Sequence, residues 1–402
     1  MITNPGAEFI IERLEQAGFK AFYVGGCLRN ALMKEEIKDY DIATSALPED
    51  VCKIFKDCKV FTLGIKHGTV CVLFDSEVYE VTTFRKEGEY SDHRHPNSVS
   101  FCTDVDSDLS RRDFTINAMA FNKNQGLIDN FGGFYDSQNR ILRAVNNPYC
   151  RFEEDALRIL RGLRFASVYQ LEIESETAKA MLEKANLLRN ISAERIFNEL
   201  SSLVLGDNFA KIVCDYFEIF TVIIPEFNFI KQKELFFKLL SNSNPNLVER
   251  LACLFVFCKE NFLFIAKRLK FPSELTKKIN TVFALLENKL PSNKTEIKKV
   301  LTHNNDCFSY YINVENALAV TFSNNHNIIL CNHIKELYNE IIKNDECYSL
   351  KQLAINGNHL QEVGFLGASI GEALQFLLMA VIEGKVKNSE QHLISYLKKY
   401  YE

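Results

Sequence analysis

The chain contains 402 residues, 47% of them hydrophobic and 25% charged, which is ordinary for a globular protein of two to four domains. Its formal net charge of −5 excludes a general attraction to nucleic acid, so any such partner must meet a local basic surface. The twelve cysteines are scattered without a CxxC pair, which argues against a zinc site and favours a reducing compartment. Without a signal-peptide pattern or an apolar run of roughly 18–20 residues, the chain is expected to be soluble and cytoplasmic.

The first part of the chain, up to Pro148, mixes strand and helix patterns. Short runs of apolar, β-branched and aromatic residues predict strands, and the last two of them predict a hairpin. The expected elements are strands at 21–24, 39–43, 69–74 and 78–84, and a helix at 28–33. We therefore expect an α+β head, a mixed sheet with helices.

Beyond Pro148 the helical period dominates. Helices are predicted at 153–166, 175–189 and 192–205, and Ser192 is placed to cap the third of them. The pattern predicts all-α domains after the head. The expected boundaries are 1–148, 149–205, 206–290 and 291–402.

Two carboxylates stand close together in Asp39-Tyr40-Asp41. On a strand, residues two apart point to the same face, so these side chains would project together and repel each other unless a cation neutralises them. An oxygen-ligated ion such as Mg²⁺, completed by substrate phosphates, fits this arrangement. A solvated acidic turn is the alternative interpretation.

The pair Gly25-Gly26 lies shortly before these acids, between a predicted strand and a predicted helix. Backbone N–H groups at a helix start suit a phosphate, and glycine lets the phosphate approach closely. Arg29, one turn later, would add a fork of donors. Most such glycine pairs, however, are simply turns.

Glu80 stands inside an apolar predicted strand, where a carboxylate is unusual and would be expected to have a metal or cationic partner. It is a candidate third acid near a metal, or else a structural partner of Arg85. The segment that follows, 85–96 (RKEGEYSDHRHP), carries too much charge for any core, and we expect a mobile lid there.

Two arginines and an acid precede an apolar segment at Arg111-Arg112-Asp113. Guanidinium groups suit triphosphate oxygens, and Asp113 could accept hydrogen bonds from ribose hydroxyls. A structural Arg–Asp pair is the alternative.

A later predicted helix carries Arg158, Arg161 and Arg164 at intervals of three, with Asp155 on the face of Arg158. An acceptor beside a fork of donors can read a base edge, and each bidentate contact discriminates by about 1–3 kcal/mol. An intrahelical salt bridge between Asp155 and Arg158 is the alternative.

Together these stretches resemble one family, the class II tRNA nucleotidyltransferases or CCA-adding enzymes, which share a head with bacterial poly(A) polymerases. The resemblance covers roughly residues 20–200. The motifs that carry it, in the family's order, are VGGCLRN, DYDIATSALPEDV, GIKHGTVCVLF, YEVTTFRKEGEYSDHRHP, RRDFTINAMA, DNFGGFYD, RFEEDALRILRGLRFA and ISAERI.

The resemblance implies a catalytic nucleotidyltransferase head, a neck that selects the base, a body, and a tail that binds tRNA. Asp39 and Asp41 would hold two Mg²⁺ ions with the assistance of Glu80, and Asp155 and Arg158 would pair with C or A while rejecting G and U. A flexible loop would include Arg85, Asp92 and Arg94. The implied nucleotide-binding residues are Gly25, Gly26, Arg29, Arg111, Arg112, Asp113, Asn117, Asp155, Arg158, Arg161 and Arg164.

The implied activity is the addition of C, C and A to the 3′ end of tRNA from CTP and ATP, with release of pyrophosphate. No membrane and no DNA are expected as partners. The motif GIKHGT fits the tRNA-type branch, and an intact loop through Tyr90, Asp92, Arg94 and Pro96 argues against an enzyme that adds only CC. The rivals are an A-adding enzyme, a poly(A) polymerase, and a catalytically silent RNA-binding protein, which would have no need of paired buried acids.

Some positions depart from the family pattern. Asn30 stands where Asp usually follows the arginine, His95 replaces the second arginine of a usual RRP, and Lys34-Glu35 stands where a glycine turn is commoner. None of these changes removes an implied metal ligand. The C-terminal part matches only in being helical. Its basic cluster could meet tRNA phosphates or be a solvated surface; it comprises Lys267, Arg268, Lys270, Lys277 and Lys278.

Overall fold

The computed structural model of the protein describes residues 3–62, 64–88 and 99–401. The chain divides into two compact units, Met1–Phe229 and Ile230–Glu402. In the described residues all strands belong to the first unit, and the second unit is helical. No helix in these ranges is long and apolar enough to cross a membrane.

The strands of the first unit are β1 Ala21–Val24, β2 Asp41–Thr44, β3 Lys59–Phe61, β4 Thr69–Phe74, β5 Glu77–Thr83, β6 Arg85–Glu87, β7 Val99–Phe101, β8 Ala120–Asn122, β9 Gly126–Ile128, β10 Ile141–Leu142 and β11 Glu172–Ile173. Seven of them form one mixed sheet in the order β3-β4-β5-β2-β1-β8-β9. Neighbours in this sheet are antiparallel except β2 and β5, which are parallel. The pairs β6–β7 and β10–β11 are separate.

The helices of the first unit are α1 Pro5–Gln16, α2 Gly26–Met33, α3 Pro48–Ile54, α4 Val105–Ser110, α5 Gly133–Gln138, α6 Pro148–Glu154, α7 Leu157–Val168, α8 Ser175–Lys184, α9 Ala193–Leu203, α10 Phe209–Asp215 and α11 Phe217–Ile223. Short 3₁₀ helices lie at Ile65–His67, Thr115–Asn117, Ala185–Asn190 and Pro225–Phe229.

The central strand β1 is buried along its whole length, and its alternation sends side chains into two different cores. Tyr23 packs in a cluster with Ile10 of α1, whereas Phe22 packs in a second cluster with Phe84. Because β1 is held from both faces, the turn that leaves it at Gly25 has a fixed position.

The second unit contains α12 Lys233–Ser241, α13 Leu247–Phe255, α14 Phe262–Arg268, α15 Ser273–Leu286, α16 Lys294–Thr321, α17 Asn325–Lys343, α18 Gly357–Glu362, α19 Ala368–Ile382 and α20 Glu390–Tyr401, with 3₁₀ helices at Val256–Asn261 and Leu350–Gln352. One core cluster centres on Phe308 and Tyr311 of α16, and another on Leu377 of α19. Asn304 interrupts α16 with φ −130° and ψ 27°.

Several predicted elements are confirmed, among them the mixed sheet and the hairpin of β4 and β5. The strand predicted at 39–43 is wrong at its start, because β2 begins at Asp41 and Asp39 precedes it. The helix predicted at 175–189 ends at Lys184 and continues as a 3₁₀ helix. Ser192 does occupy the cap position of α9, but its side chain accepts no capping hydrogen bond.

The helix predicted at 153–166 is also wrong, because the chain breaks at Asp155. Helix α6 ends at Glu154, Asp155 has extended angles of φ −139° and ψ 103°, and α7 begins at Leu157. The carboxylate of Asp155 accepts a hydrogen bond from the Leu157 N–H at 3.1 Å. An aspartate that satisfies a free N–H at a helix start stabilises this break.

Candidate active site

The register of the sheet brings two acids together from distant parts of the chain. Asp41 opens β2, and its Cα neighbours are Val24 on one side and Glu80 of β5 on the other. Burial raises the pKa of Asp41, and the nearby charges of Glu80 and Asp39 raise it further, while Arg112 opposes them. The site therefore concentrates negative charge that a cation would relieve.

The expectation that these acids are buried is wrong. Asp39 and Glu80 are exposed, and Asp41 is half-buried. Asp39 precedes β2, which begins at Asp41, so the two acids do not lie on one strand as predicted. Glu80 projects from the pleated face of β5 into an open cavity, which explains why an acid stands in this otherwise apolar strand.

The glycine turn after β1 makes room beside Asp41. Gly25 has φ +72°, a conformation that favours glycine, and α2 begins at Gly26. A Cβ atom on Gly25 would lie 3.1 Å from Arg112 Nη1 and 3.5 Å from Asp41 Oδ2. The absent side chain thus leaves a gap between an acid and a cation, in front of the first N–H groups of α2.

Arg29 is buried and fixed by neutral groups. Its guanidinium donates to Asn117 Oδ1 at 2.7 Å, to Tyr169 Oη at 2.7 Å, and to Asn30 Oδ1 at 3.1 and 2.9 Å. It also lies over the rings of Tyr169 and Phe165, at 4.3 and 5.0 Å from their centroids. Because Asn30 is an amide, the three side chains that accept hydrogen bonds from Arg29 are all neutral, and Asp113 and Asp41 act on Arg29 only through their charge.

Arg111 and Arg112 are held by one buried acid, Asp108, whose side chain is 1% exposed. Asp108 Oδ1 accepts from Arg111 Nη2 at 2.6 Å, and Oδ2 accepts from Arg112 Nη2 at 3.1 Å. Although burial opposes it, the two guanidinium groups lower the pKa of Asp108. Sequence reasoning missed Asp108, whose only signal was its spacing of three and four residues before the arginines.

Asp113 is saturated by protein donors. Its Oδ1 accepts from Phe114 N–H and from Asn117 Nδ2, and its Oδ2 accepts from Arg161 Nε and Nη2 at 2.9 and 2.7 Å. Burial alone would raise the pKa of Asp113, but Arg161 and Asn117 hold it well below its usual range. Four donors fill the four lone-pair directions of a carboxylate. The expected contact of Asp113 with ribose stays a prediction, and the contact that the structure shows is with Arg161.

Asp155 and Arg158 do not pair with each other. Asp155 Oδ2 accepts from Arg195 Nη2 at 2.7 Å, whereas Arg158 donates to Glu154 Oε2 at 2.7 Å and to the Arg111 carbonyl at 3.0 Å. The alternative of an intrahelical Asp155–Arg158 bridge is thus wrong, and so is their placement on one helix face. Each side chain is held separately, and both line the same cavity.

Arg161 and Arg164 share the ring of Phe165, at 5.4 and 4.4 Å from its centroid. Arg164 also pairs with Glu199 of α9 at 2.9 Å. Arg161 lines the cavity, whereas Arg164 does not. Arg164 instead joins α7 to α9 through its ion pair with Glu199.

One cavity of about 780 Å³ collects these groups on the first unit. Its lining includes most of the expected site residues: Gly25, Gly26, Arg29, Asp41, Glu80, Arg85, Arg111, Arg112, Asp113, Asn117, Asp155, Arg158 and Arg161. It also includes residues that the sequence did not single out: Lys66, His67, Thr82 and Arg195. Asp39 instead lines an adjoining cavity of about 400 Å³, which shares Asp41, Arg29 and Gly26 with the first.

Within the described ranges, no three His, Cys, Asp or Glu side chains form a cluster that could hold a metal ion. The acids Asp39, Asp41 and Glu80 nevertheless carry the oxygen atoms that hard cations prefer, and the charges of Asp39 and Glu80 act on the half-buried carboxylate of Asp41. Such an open set suits a cation whose remaining ligands come from substrate phosphates and water.

The loop expected to act as a lid lies largely outside the described residues, including Asp92 and Arg94. Arg85, at its beginning, is described: its backbone N–H donates to Asp108 Oδ1 at 3.3 Å and its Nη1 donates to the His67 carbonyl at 2.8 Å. The alternative of an Arg85–Glu80 pair is not among these contacts.

Three family models match this chain in order. A Poly A polymerase head domain matches residues 21–143, a probable RNA and SrmB-binding site of polymerase A matches 170–230, and a putative tRNA nucleotidyltransferase domain 2 matches 249–397. The sheet, the acids and these matches define a nucleotidyltransferase of the poly(A) polymerase and tRNA nucleotidyltransferase class.

The particular family follows from full-length relatives. The chain is 35% identical to a CCA-adding enzyme of Streptococcus gordonii, covering 97% of this chain and 96% of the relative, and 34% identical to that of Pediococcus pentosaceus, covering 98% and 97%. A crystal structure of the Bacillus stearothermophilus CCA-adding enzyme in complex with CTP superposes with a TM-score of 0.79 at 29% identity, covering 99% and 98%. The chain belongs to the family of CCA-adding enzymes.

Proposed function

We propose that this protein adds C, C and A in turn to the 3′ end of tRNA, using CTP and ATP and releasing pyrophosphate. The observation that carries the proposal is that Asp41 and Glu80, side by side in the sheet, share one cavity with Asp155 and Arg158. Phosphoryl chemistry and base choice would then occur in one place. Relatives of the chain are described as CCA-adding enzymes in complex with CTP and with tRNA.

In this proposal the basic residues of the cavity bind the triphosphate and the acidic residues bind the metal ions. The N–H groups at the start of α2, together with Arg29, Arg111 and Arg112, would bind the triphosphate and stabilise the charge that develops on pyrophosphate. Asp41, with Asp39 and Glu80, would hold two Mg²⁺ ions. When bound, such ions lower the pKa of the attacking hydroxyl and stabilise the leaving oxygens. Asp113 and Asn117 position Arg161 and Arg29 for this task.

Base choice would depend on Asp155 and Arg158. C and A each carry an exocyclic amino group beside an unprotonated ring nitrogen, so a carboxylate can accept from the amino group while a guanidinium donates to the ring nitrogen. U and G carry a carbonyl oxygen and a ring N–H at the corresponding positions, and would leave both side chains without a matching partner. The separate anchors of the two side chains, Arg195 and Glu154, fix the spacing between acceptor and donor.

We also propose the domain division 1–148, 149–205, 206–290 and 291–402, with tRNA contacts in the last part, and a cytoplasmic location. The location is supported by the twelve cysteines, all within the described residues, none of which forms a disulfide.

The deciding experiment supplies trimmed tRNA with CTP alone and then with ATP. Two added C residues followed by one A support the proposal. No reaction with CTP would favour an A-adding enzyme, and long tails from ATP alone would favour a poly(A) polymerase.

A catalytically silent RNA-binding protein is the second rival. It predicts tRNA binding without release of pyrophosphate from either nucleotide. Detection of pyrophosphate in step with extension of the RNA excludes it.

A further inference from the structure

The 3₁₀ helix Ile65–His67, between β3 and β4, places two basic side chains at the rim of the active-site cavity. Lys66 and His67 are both exposed and both line the cavity that contains Asp41 and Glu80. Neither side chain forms a hydrogen bond or an ion pair with another described residue. Their donor groups are therefore free to bind a ligand.

The backbone beneath these side chains is fixed although the side chains are free. The His67 carbonyl accepts a hydrogen bond from Arg85 Nη1 at 2.8 Å. The Gly68 carbonyl accepts from Thr83 N–H at 2.9 Å, which attaches the segment to β5. Gly68 itself has φ +84°, a conformation that favours glycine at this turn. The Lys66–His67 pair thus has a defined position beside β5.

The strand register shows where that place is. Val24 pairs with Asp41, so the glycine turn after β1 extends past the beginning of β2. Thr69 pairs with Thr82, two residues beyond Glu80 on the same face of β5, and Lys66–His67 precedes Thr69. Asp41 and Glu80 therefore lie between the glycine turn and the basic pair. The pair is roughly 10 Å from Glu80 along the strand, at about 3.3 Å per residue.

Phosphoryl transfer imposes a direction on this arrangement. The attacking and leaving oxygens lie roughly in line on opposite sides of the phosphorus. If the triphosphate occupies the glycine turn and Arg29, as the proposed function has it, pyrophosphate leaves on that side of the acids. The attacking 3′-oxygen then approaches from the side of Thr82 and the basic pair.

We propose that Lys66 and His67 bind the phosphodiester group next to the reactive 3′ end of the RNA acceptor. This inference rests on the proposed function, because it takes the acids as the reaction centre. A lysine ammonium suits a phosphate as a mobile point charge, and an imidazole N–H can donate to the same group. The two residues would position the 3′-hydroxyl toward Asp41 and would not contact the incoming nucleotide.

The test measures KM for trimmed tRNA and KM for CTP separately, in Lys66→Ala and His67→Gln. We expect KM for RNA to rise about tenfold in Lys66→Ala, as for loss of one charged hydrogen bond, with KM for CTP unchanged. Lys66→Arg should restore most of the binding. Lys56→Ala, on an exposed lysine of the same unit outside the cavity, is the matched control.

A second measurement identifies the contacted phosphate. RNA with an uncharged methylphosphonate at its last linkage should bind more weakly to the wild type but no more weakly to Lys66→Ala, because both changes remove the same contact. The slope of log Kd against log salt should fall by about 0.7 in the variant, as expected for the loss of one contact with a single-strand phosphate.

A rise in KM for CTP instead of RNA, no change in either KM, or additive effects of the two modifications on RNA binding would overturn the inference. Equilibrium RNA binding needs no turnover, so a wild type that adds no nucleotide would disprove the proposed function and leave this measurement valid.

Discussion

At the scale of single residues, the site depends on which charges are compensated and which are not. Asp113 and Asp108 have all the donors they need, so they serve the arginines beside them. Asp41 has the like charges of Glu80 and Asp39 beside it, opposed by Arg112 and Arg29, and the hydrogen-bond acceptors of Arg29 are neutral. Groups of both signs with no direct ion pair between them lie in one cavity, which is the arrangement that the proposed metal and polyphosphate would need.

Asp41→Asn should abolish nucleotide addition, with a loss of at least about 10³-fold in kcat, because the variant lacks the carboxylate proposed as the central metal ligand. Binding of tRNA, measured by fluorescence anisotropy, should change little. Glu12→Gln, an exposed acid on α1, is the control and should keep full activity. Substantial activity in Asp41→Asn would disprove the metal assignment.

Arg158→Ala should weaken the choice of C and A over U and G by about tenfold to a hundredfold, the value of one bidentate contact. Each nucleotide is offered singly, and the four values of kcat/KM are compared. An unchanged ratio between CTP and UTP would contradict a role of Arg158 in base choice.

Arg195→Ala should release Asp155, because the 2.7 Å contact with Arg195 Nη2 is its charged anchor. We expect relaxed base choice with little change in thermal stability, and partial rescue by Arg195→Lys. Arg189→Ala, an exposed arginine before α9, is the control. Loss of activity for all four nucleotides with base choice intact would instead indicate a purely structural role.

At the scale of elements, α7, which carries Arg158 and Arg161, packs closely against its neighbours. A Cβ atom on Gly162 would lie 2.3 Å from Met181 Cε of α8 and 2.8 Å from Phe114 Cζ. The glycine therefore allows α7 to approach the segment that carries Asp113. The rings of Phe114 and Phe165 meet edge to face at 5.9 Å on the same interface.

Gly162→Ala should lower the free energy of unfolding by about 1–3 kcal/mol, because the added methyl group overpacks this contact. The thermal midpoint reports the loss. Gly371→Ala in α19 is the matched control, since a Cβ atom there meets nothing within 4 Å and alanine favours a helix. Equal midpoints for the two variants would show that α7 can move away at no cost.

At the scale of the whole molecule, the two units differ in what stabilises them. The first has a sheet with cores on both faces, whereas the second depends on helix packing and on ion pairs between helices. Glu346 accepts from Lys294 Nζ at 2.8 Å and from Lys298 Nζ at 2.6 Å, tying the segment after α17 to α16. These two lysines lower the pKa of Glu346 to about 2.

A pKa below the unfolded value means that Glu346 stabilises the fold above about pH 4.5 and loses this effect as the pH falls toward 2. Glu346→Gln should therefore lower the thermal midpoint at pH 7, and the difference from wild type should shrink between about pH 5 and pH 2. Glu362→Gln, an exposed acid on α18, should show no such trend. If the difference in thermal midpoint between Glu346→Gln and wild type did not change with pH, the ion-pair explanation would be contradicted.

The sequence by itself determined the types of groups and their order. Gly25-Gly26 before Asp41, the hairpin with Glu80, and the arginines of α7 could all be read from local patterns and from the family resemblance. Local periods of two and 3.6 residues are properties of short segments, so they can be recognised in the sequence before the fold is known.

Only the tertiary structure decided which groups meet. The parallel register of β2 and β5 sets Asp41 beside Glu80, and the packing of α9 brings Arg195 to Asp155. The break at Asp155 also divides a helix that the sequence pattern made continuous. These outcomes depend on contacts between residues about 40 positions apart, for which no local spacing supplies a rule.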